Sequence, residues 1–218
     1  MILFLFIAIF IINTDLSAQD INAFQIGRVK YGGGGDWYND PSAEVNLLKF
    51  TASLTNIKVR TEYVFTDVAS DDIYKYPLLF ITGHGNISLS NEEARRLRKY
   101  CEEGGFIFID DDYGMDNSIR REMKKVFPES GFVEIPFSHG IYSSYFLFRN
   151  GPPKTHEHDD KAPRGYGIFL GERLVVYYTY ESNPSDGWAD ARSHNDSPLV
   201  REEALKFGAN ILIWALTN

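Results

Sequence analysis

The chain has 218 residues, 44% of them hydrophobic and 15% aromatic, with a formal net charge of −8 at pH 7. That length and apolar content suffice for one sizeable buried core, and nothing in the composition argues for disorder. An acidic surface repels a nucleic-acid backbone and an anionic membrane alike, which removes both from the expected partners.

Ile2 to Ile12 form an unbroken apolar run, followed by polar Asn13 to Asp15 and then Leu16-Ser17-Ala18 before Gln19. This is the pattern of a secretory signal peptide with a small-residue cleavage site, although no Lys or Arg precedes the run. The run is shorter than the roughly 20 apolar residues of a membrane span. The expectation is therefore a signal peptide over 1–18 and one α/β domain over 19–218, exported and without a transmembrane span in the mature chain. The single cysteine, Cys101, has no partner for an internal disulfide and falls at an apolar helix position, as a buried structural thiol would.

Phe24 to Tyr31 reads as a first strand, ended by Gly32 to Gly35. Asp40-Pro41 signals a helix start, with apolar positions continuing to about Thr55. Ile57 to Tyr63 alternates as a second strand, and Leu78 to Ile81 is the fully apolar run of a buried parallel strand. Ser90-Asn91-Glu92-Glu93 is a capping box that opens a helix through Ala94, Leu97, Tyr100 and Cys101. Gly104-Gly105 stops it before the strand Phe106 to Ile109, a helix runs from about Ser118 to Phe127, and Phe132 to Ile135 adds a strand. Alternation of strands and amphipathic helices predicts a mainly parallel sheet covered on both faces, a three-layer α/β/α sandwich. Beyond residue 136, Ile141 to Phe148 reads as a strand, and Tyr166–Leu170 with Arg173–Tyr180 as a C-terminal β-hairpin turned at Gly171-Glu172. Asp196-Ser197-Pro198 starts the last helix.

In open parallel sheets ligands bind beyond the carboxyl ends of the strands, where the polar residues of this chain gather. The glycine loop lacks both the phosphate-loop and the dinucleotide pattern, so Gly33 and Gly34 read as a tight turn facing a ligand beside Trp37. Gly83-His84-Gly85 ends the third strand, and Asp110-Asp111-Asp112-Tyr113-Gly114 the fourth. Asp111, Asp112 and His84 are the candidate catalytic groups, since a carboxylate or imidazole at a tight strand-to-helix turn can act as base or nucleophile. Gly85, Tyr113, His139 and Tyr142 join Gly33, Gly34, Trp37, Gly83 and His84 as candidate ligand contacts. In His156-Glu157-His158-Asp159-Asp160 the imidazoles stand two residues apart, so an extended loop would project both to one side. With His139, they are candidate ligands for a divalent metal.

Several ordered motifs resemble the bacterial domain-of-unknown-function 4159 family. They are Tyr31-Gly32-Gly33 with Trp37, Thr82-Gly83-His84-Gly85, Gly104-Gly105-Phe106 leading to Asp110-Asp111, His139-Gly140-Ile141-Tyr142 and the Gly167-Ile168-Phe169 hairpin. The resemblance implies a flavodoxin-like, class I glutamine amidotransferase-like fold in a bacterial periplasmic or extracellular protein. It places Thr82 to Gly85 where those enzymes carry an oxyanion loop, and Asp112 where they carry the nucleophilic cysteine. Without that cysteine, hydrolysis through a thioester is not expected. The leading expectation is an exported domain that binds a small polar molecule, a glycan or another envelope component; the alternative is a metal-assisted hydrolase built from loop histidines and the Asp112 turn.

Overall fold

The computed structural model describes residues 23–156 and 158–218. The expected signal peptide lies outside the described residues. The strands are β1 (Ile26–Lys30), β2 (Phe65–Asp67), β3 (Leu78–Ile81), β4 (Phe106–Asp110), β5 (Val133–Glu134), β6 (Arg164–Leu170) and β7 (Arg173–Tyr180). The helices are α1 (Ala43–Leu54), α2 (Asn91–Glu102), α3 (Asp116–Val126), α4 (Pro184–Trp188) and α5 (Pro198–Thr217).

One sheet has the order β2-β1-β3-β4-β7-β6-β5. The first five of these strands run parallel, and β6 and β5 extend the sheet antiparallel, so the mainly parallel α/β class and the C-terminal hairpin are both present. The parallel part follows the flavodoxin-like order, with β7 in the fifth place. That order places a topological switch point between β1 and β3.

Alternation along the strands divides the core into two sides. Leu79, Ile81, Ile107 and Ile109 pack toward α2 and α3, while Leu78, Phe80, Phe106 and Phe108 pack toward α1, α4 and α5. The α2 capping box forms as expected: Ser90 Oγ accepts from Glu93 N at 3.2 Å, and Glu93 Oε2 accepts from Ser90 N at 2.6 Å. Trp188 is 1% exposed and fastens the short α4 to the sheet. Its ring lies 5.6 Å from Phe80 and 5.7 Å from Phe108, and its Nε1 donates to Ala204 O at 2.8 Å. Among the described residues no helix is long and apolar enough to cross a membrane.

Three local expectations are corrected. The second strand does not run over Ile57 to Tyr63. Pairing touches at Phe24–Val59 and resumes at Arg28–Phe65, so the outer chain bulges by two residues in between and β2 starts at Phe65. Ile141 to Phe148 is not a strand but a 3-10 turn at Gly140–Tyr142 and a loop. The buried Asn210 of α5 takes the place of a strand partner: its Oδ1 accepts from Phe146 N at 2.7 Å and its Nδ2 donates to Phe146 O at 2.7 Å. Finally, α1 begins at Ala43 rather than Pro41, because Asp40 adopts a left-handed backbone (φ 42°) and turns its carboxylate toward His194.

Candidate metal centre

The switch point is built by close approach of two loops. Gly35 N donates to Asn86 O at 3.0 Å and Ser88 N to Gly32 O at 2.8 Å, while Asn86 Nδ2 holds Gly33 O at 3.0 Å. A Cβ on Gly33 (φ 107°) would come within 2.7 Å of Ser88 N, and one on Gly35 within 2.8 Å of His84 O. Contact between the loops therefore requires glycine at position 33, whereas Gly34 faces open space. Gly83 (φ 139°) is packed against Tyr31 and Asp36.

Arg28, a fully buried residue of β1, ties the next segment down. Its Nε and Nη2 donate to Glu44 at 2.5 and 2.8 Å, and its Nη1 donates to the carbonyls of Trp37 and Asn39 at 2.8 and 2.9 Å. These bonds fix the chain that carries Asn39 and Asp40. Trp37 itself is half-buried, with its ring 5.2 Å from Phe65.

Strand alternation splits the aspartate triplet. Asp111 turns toward α3, accepting from Met115 N at 2.8 Å and Tyr178 OH at 3.2 Å, so it braces the turn that leads into that helix. Asp110 turns the other way and accepts from Thr179 Oγ1 at 2.6 Å and from Ser185 N and Oγ at 2.9 and 2.7 Å; burial nevertheless lifts its carboxyl to about 7. Asp112, 1% exposed, accepts from Asn39 Nδ2 and, at 3.0 Å, from Asn183 Nδ2.

Beyond β7 the chain reverses through two left-handed residues, Glu181 (φ 56°) and Asn183 (φ 51°), and α4 then brings Asp186 over Asp112. Carboxylate oxygens of the two residues lie within 4.8 Å of one another. Burial, with the charges of Asp186, Asp110 and Asp40, pushes Asp112 to about 9. Burial also works against Asp186, but the hydrogen bond from His156 and the charges of His194 and His156 hold it below the usual carboxylate range.

Asp186 Oδ2 lies 2.6 Å from His156 Nδ1, and Asp186 Oδ1 3.9 Å from His194 Nε2. His156 Nε2 meets Asp196 Oδ1 at 2.9 Å, and His194 Nε2 meets Asp40 Oδ2 at 2.9 Å. Hydrogen bonding to Asp186 raises His156 to about 9. Ligand-capable atoms of His156, Asp186 and His194 all lie within 4.8 Å of one another. Two imidazoles and a carboxylate are the donor set of zinc and related divalent metals, and Asp196 behind His156 stands where an outer carboxylate would orient such a ligand.

His84 stands at the rim, half-exposed, its Nδ1 3.0 Å from Asp36 Oδ2 and 3.3 Å from Asp112 Oδ2. Gly85 N donates to Tyr113 O at 2.9 Å, joining the ends of β3 and β4. Tyr113 is exposed and packs on His158, ring centroids 4.7 Å apart. Both line a polar cavity of about 280 Å³ with Asp111, Lys161 and Tyr180.

The expected site residues are thus only partly brought together. His84, Gly85, Asp112, Tyr113, His156 and His158 gather at the carboxyl edge, although the two histidines of the 156–158 loop part, His156 to Asp186 and His158 to Tyr113. His139 and Tyr142 do not join them. His139 Nδ1 accepts from Ile141 N at 3.2 Å and its ring abuts Trp214 and Phe169, near the opposite ends of α5 and β6; burial lowers its pKa. Tyr142 is fully buried, its OH 3.1 Å from Tyr177 OH and its ring stacked on Phe207. Both are packing residues because the segment that carries them folds against α5 instead of forming a strand. Sequence reasoning missed Arg28, Asn183, Asp186 and His194, and read Asp40 and Asp196 only as helix-start signals. A charged residue inside the apolar β1 was the available sign of Arg28; Asp186 had none beyond its place in a loop after a strand.

The profile described as "Domain of unknown function (DUF4159)" matches residues 25–216. The chain belongs to that family. The match spans every residue of the candidate centre, from Arg28 to Asp196. No curated protein matches the chain.

Proposed function

We propose that this DUF4159 protein is an exported, metal-assisted hydrolase of a polar substrate, with a glycan or other envelope component as the substrate class. The convergence of His156, Asp186 and His194, backed by Asp196, carries this reading. A divalent cation held there would polarise a substrate oxygen and lower the pKa of water. The chain's own groups supply the rest. His84, held at Nδ1 by Asp36, would exchange a proton through Nε2 as general acid or base. Tyr113 and Lys161 would position the substrate in the polar cavity that they line. Asp112 is buried and bound by Asn39 and Asn183, so it does not serve as the attacking nucleophile.

The test is elemental analysis of protein purified without chelators. About one equivalent or more of a transition metal is expected, lost in His156→Ala and His194→Ala and retained in His84→Gln, which should abolish turnover alone. A wild type that is metal-free and does not take up zinc would overturn the reading. A second reading, a non-catalytic binding module, is favoured by the cavity lined by Tyr113, Tyr180 and Lys161. It predicts ligand binding that survives His84→Gln, with no turnover in the wild type.

A further inference from the structure

A second group of donors, all of them oxygens, adjoins the first. Ligand-capable atoms of Asp40, Asp112 and Asp186 lie within 4.8 Å of one another. Asp112 and Asp186 are 1% and 3% exposed. Two buried carboxylates this close cannot both be ionised unless a positive charge lies between them.

Acidic residues alone would not make a site, but Asn183 adds an independent sign. It is 0% exposed, and its Nδ2 donates to Asp112 Oδ1 at 3.0 Å and approaches Asp186 Oδ2 at 3.5 Å. Its Oδ1, on the same carbon, is buried with no hydrogen-bond partner. An orphaned buried acceptor is destabilising, and Asn183 also holds a left-handed backbone. A residue kept at such cost beside a carboxylate cluster is accounted for when its amide oxygen is a cation ligand.

We propose that Asp40, Asp112, Asp186 and the amide oxygen of Asn183 hold a second divalent cation, and that Asp186 bridges it to the first. The proposal rests on the reading of His156, Asp186 and His194 as a metal site. The donor chemistry differs between the two positions. Imidazole with carboxylate suits zinc or manganese, whereas an all-oxygen set suits magnesium, manganese or calcium. A bridged pair can clamp both the entering and the leaving oxygen of a hydrolytic displacement.

Manganese is the probe, because it fits both sets and is counted by paramagnetic resonance. Chelator-stripped protein dialysed against Mn²⁺ should bind about two ions per chain, with a spectrum broadened by coupling through Asp186. Asp40→Asn should lower affinity for the ion of the oxygen set at least tenfold and, through its contact with His194, weaken the other less, and His156→Gln should do the converse. Asp112→Asn serves as a second variant for the oxygen set, with urea denaturation confirming that each variant is folded. One ion per wild-type chain, removed by His156→Gln but untouched by Asp40→Asn and Asp112→Asn, would overturn the second site and leave the proposed function standing. Two uncoupled ions insensitive to Asp40→Asn and Asp112→Asn would also overturn it. No ion in the wild type would sink both readings.

Discussion

Replacing Glu44 by Ala removes the counter-ion of a guanidinium that has no exposure to water. Arg28 then loses two charge-assisted hydrogen bonds, at 2.5 and 2.8 Å, and keeps its hydrogen bonds to Trp37 and Asn39 and its stacking on Phe80. Breaking a buried ion pair from one side costs about 3–5 kcal/mol. Against the roughly 5–15 kcal/mol of stability typical of a folded domain, that is a large fraction. Urea denaturation in excess chelator should therefore shift the Glu44→Ala midpoint strongly downward without changing the slope. The double variant Arg28→Met, Glu44→Leu removes both charges and should recover most of the loss, to within about 1–2 kcal/mol of wild type. It cannot restore the donors to the Trp37 and Asn39 carbonyls. The loop bearing Asp40 should then loosen, and Mn²⁺ affinity should fall even though stability returns. A Glu44→Ala protein within about 1 kcal/mol of wild type would refute the buried-pair reasoning. A double variant with unchanged Mn²⁺ affinity would refute the link from Arg28 to the site.

Trp188→Ala should cost about 3–5 kcal/mol, since it empties the volume between Phe80, Phe108 and α5, and zinc uptake should weaken with it because Asp186 sits on the same helical turn. Calorimetry beside zinc titration checks both. In chelated protein, His156 is raised to about 9 from its ordinary 6.5, so its stabilising contribution is complete below pH 6.5 and is lost as pH rises through about 9. Asp112, raised to about 9 from 3.8, acts in the same direction over a wider window, complete below its unfolded value and lost as pH rises through about 9. The urea midpoint of wild type should accordingly fall between pH 6 and pH 9.5, and by less in His156→Gln; an equal fall in both would count against the His156–Asp186 pair. Burial pushes the Cys101 thiol up to about 12, so a thiol reagent should leave the native protein untouched at neutral pH and label it only after unfolding.

Much of the architecture is written locally. The apolar runs of β3 and β4, the Ser90–Glu93 capping box, Gly171 at the hairpin and Ser197-Pro198 at the start of α5 each declare an element through neighbours a few residues away. The same local chemistry places polar residues at the strand ends, so the carboxyl edge was legible as the site. Its membership was not. His156 and His194 are joined only because Glu181 and Asn183 reverse the chain and Trp188 locks α4 to the sheet. Asp40 and Asp196 resemble ordinary helix caps until the imidazoles they face are in position. His139 and Tyr142 were removed from the site by a side chain in another element, when Asn210 took over the backbone of their segment. Sequence periodicity records which face of an element is apolar, a property of near neighbours. Which polar side chains meet across loops depends on how the layers pack, and that is decided by contacts between residues far apart in the chain.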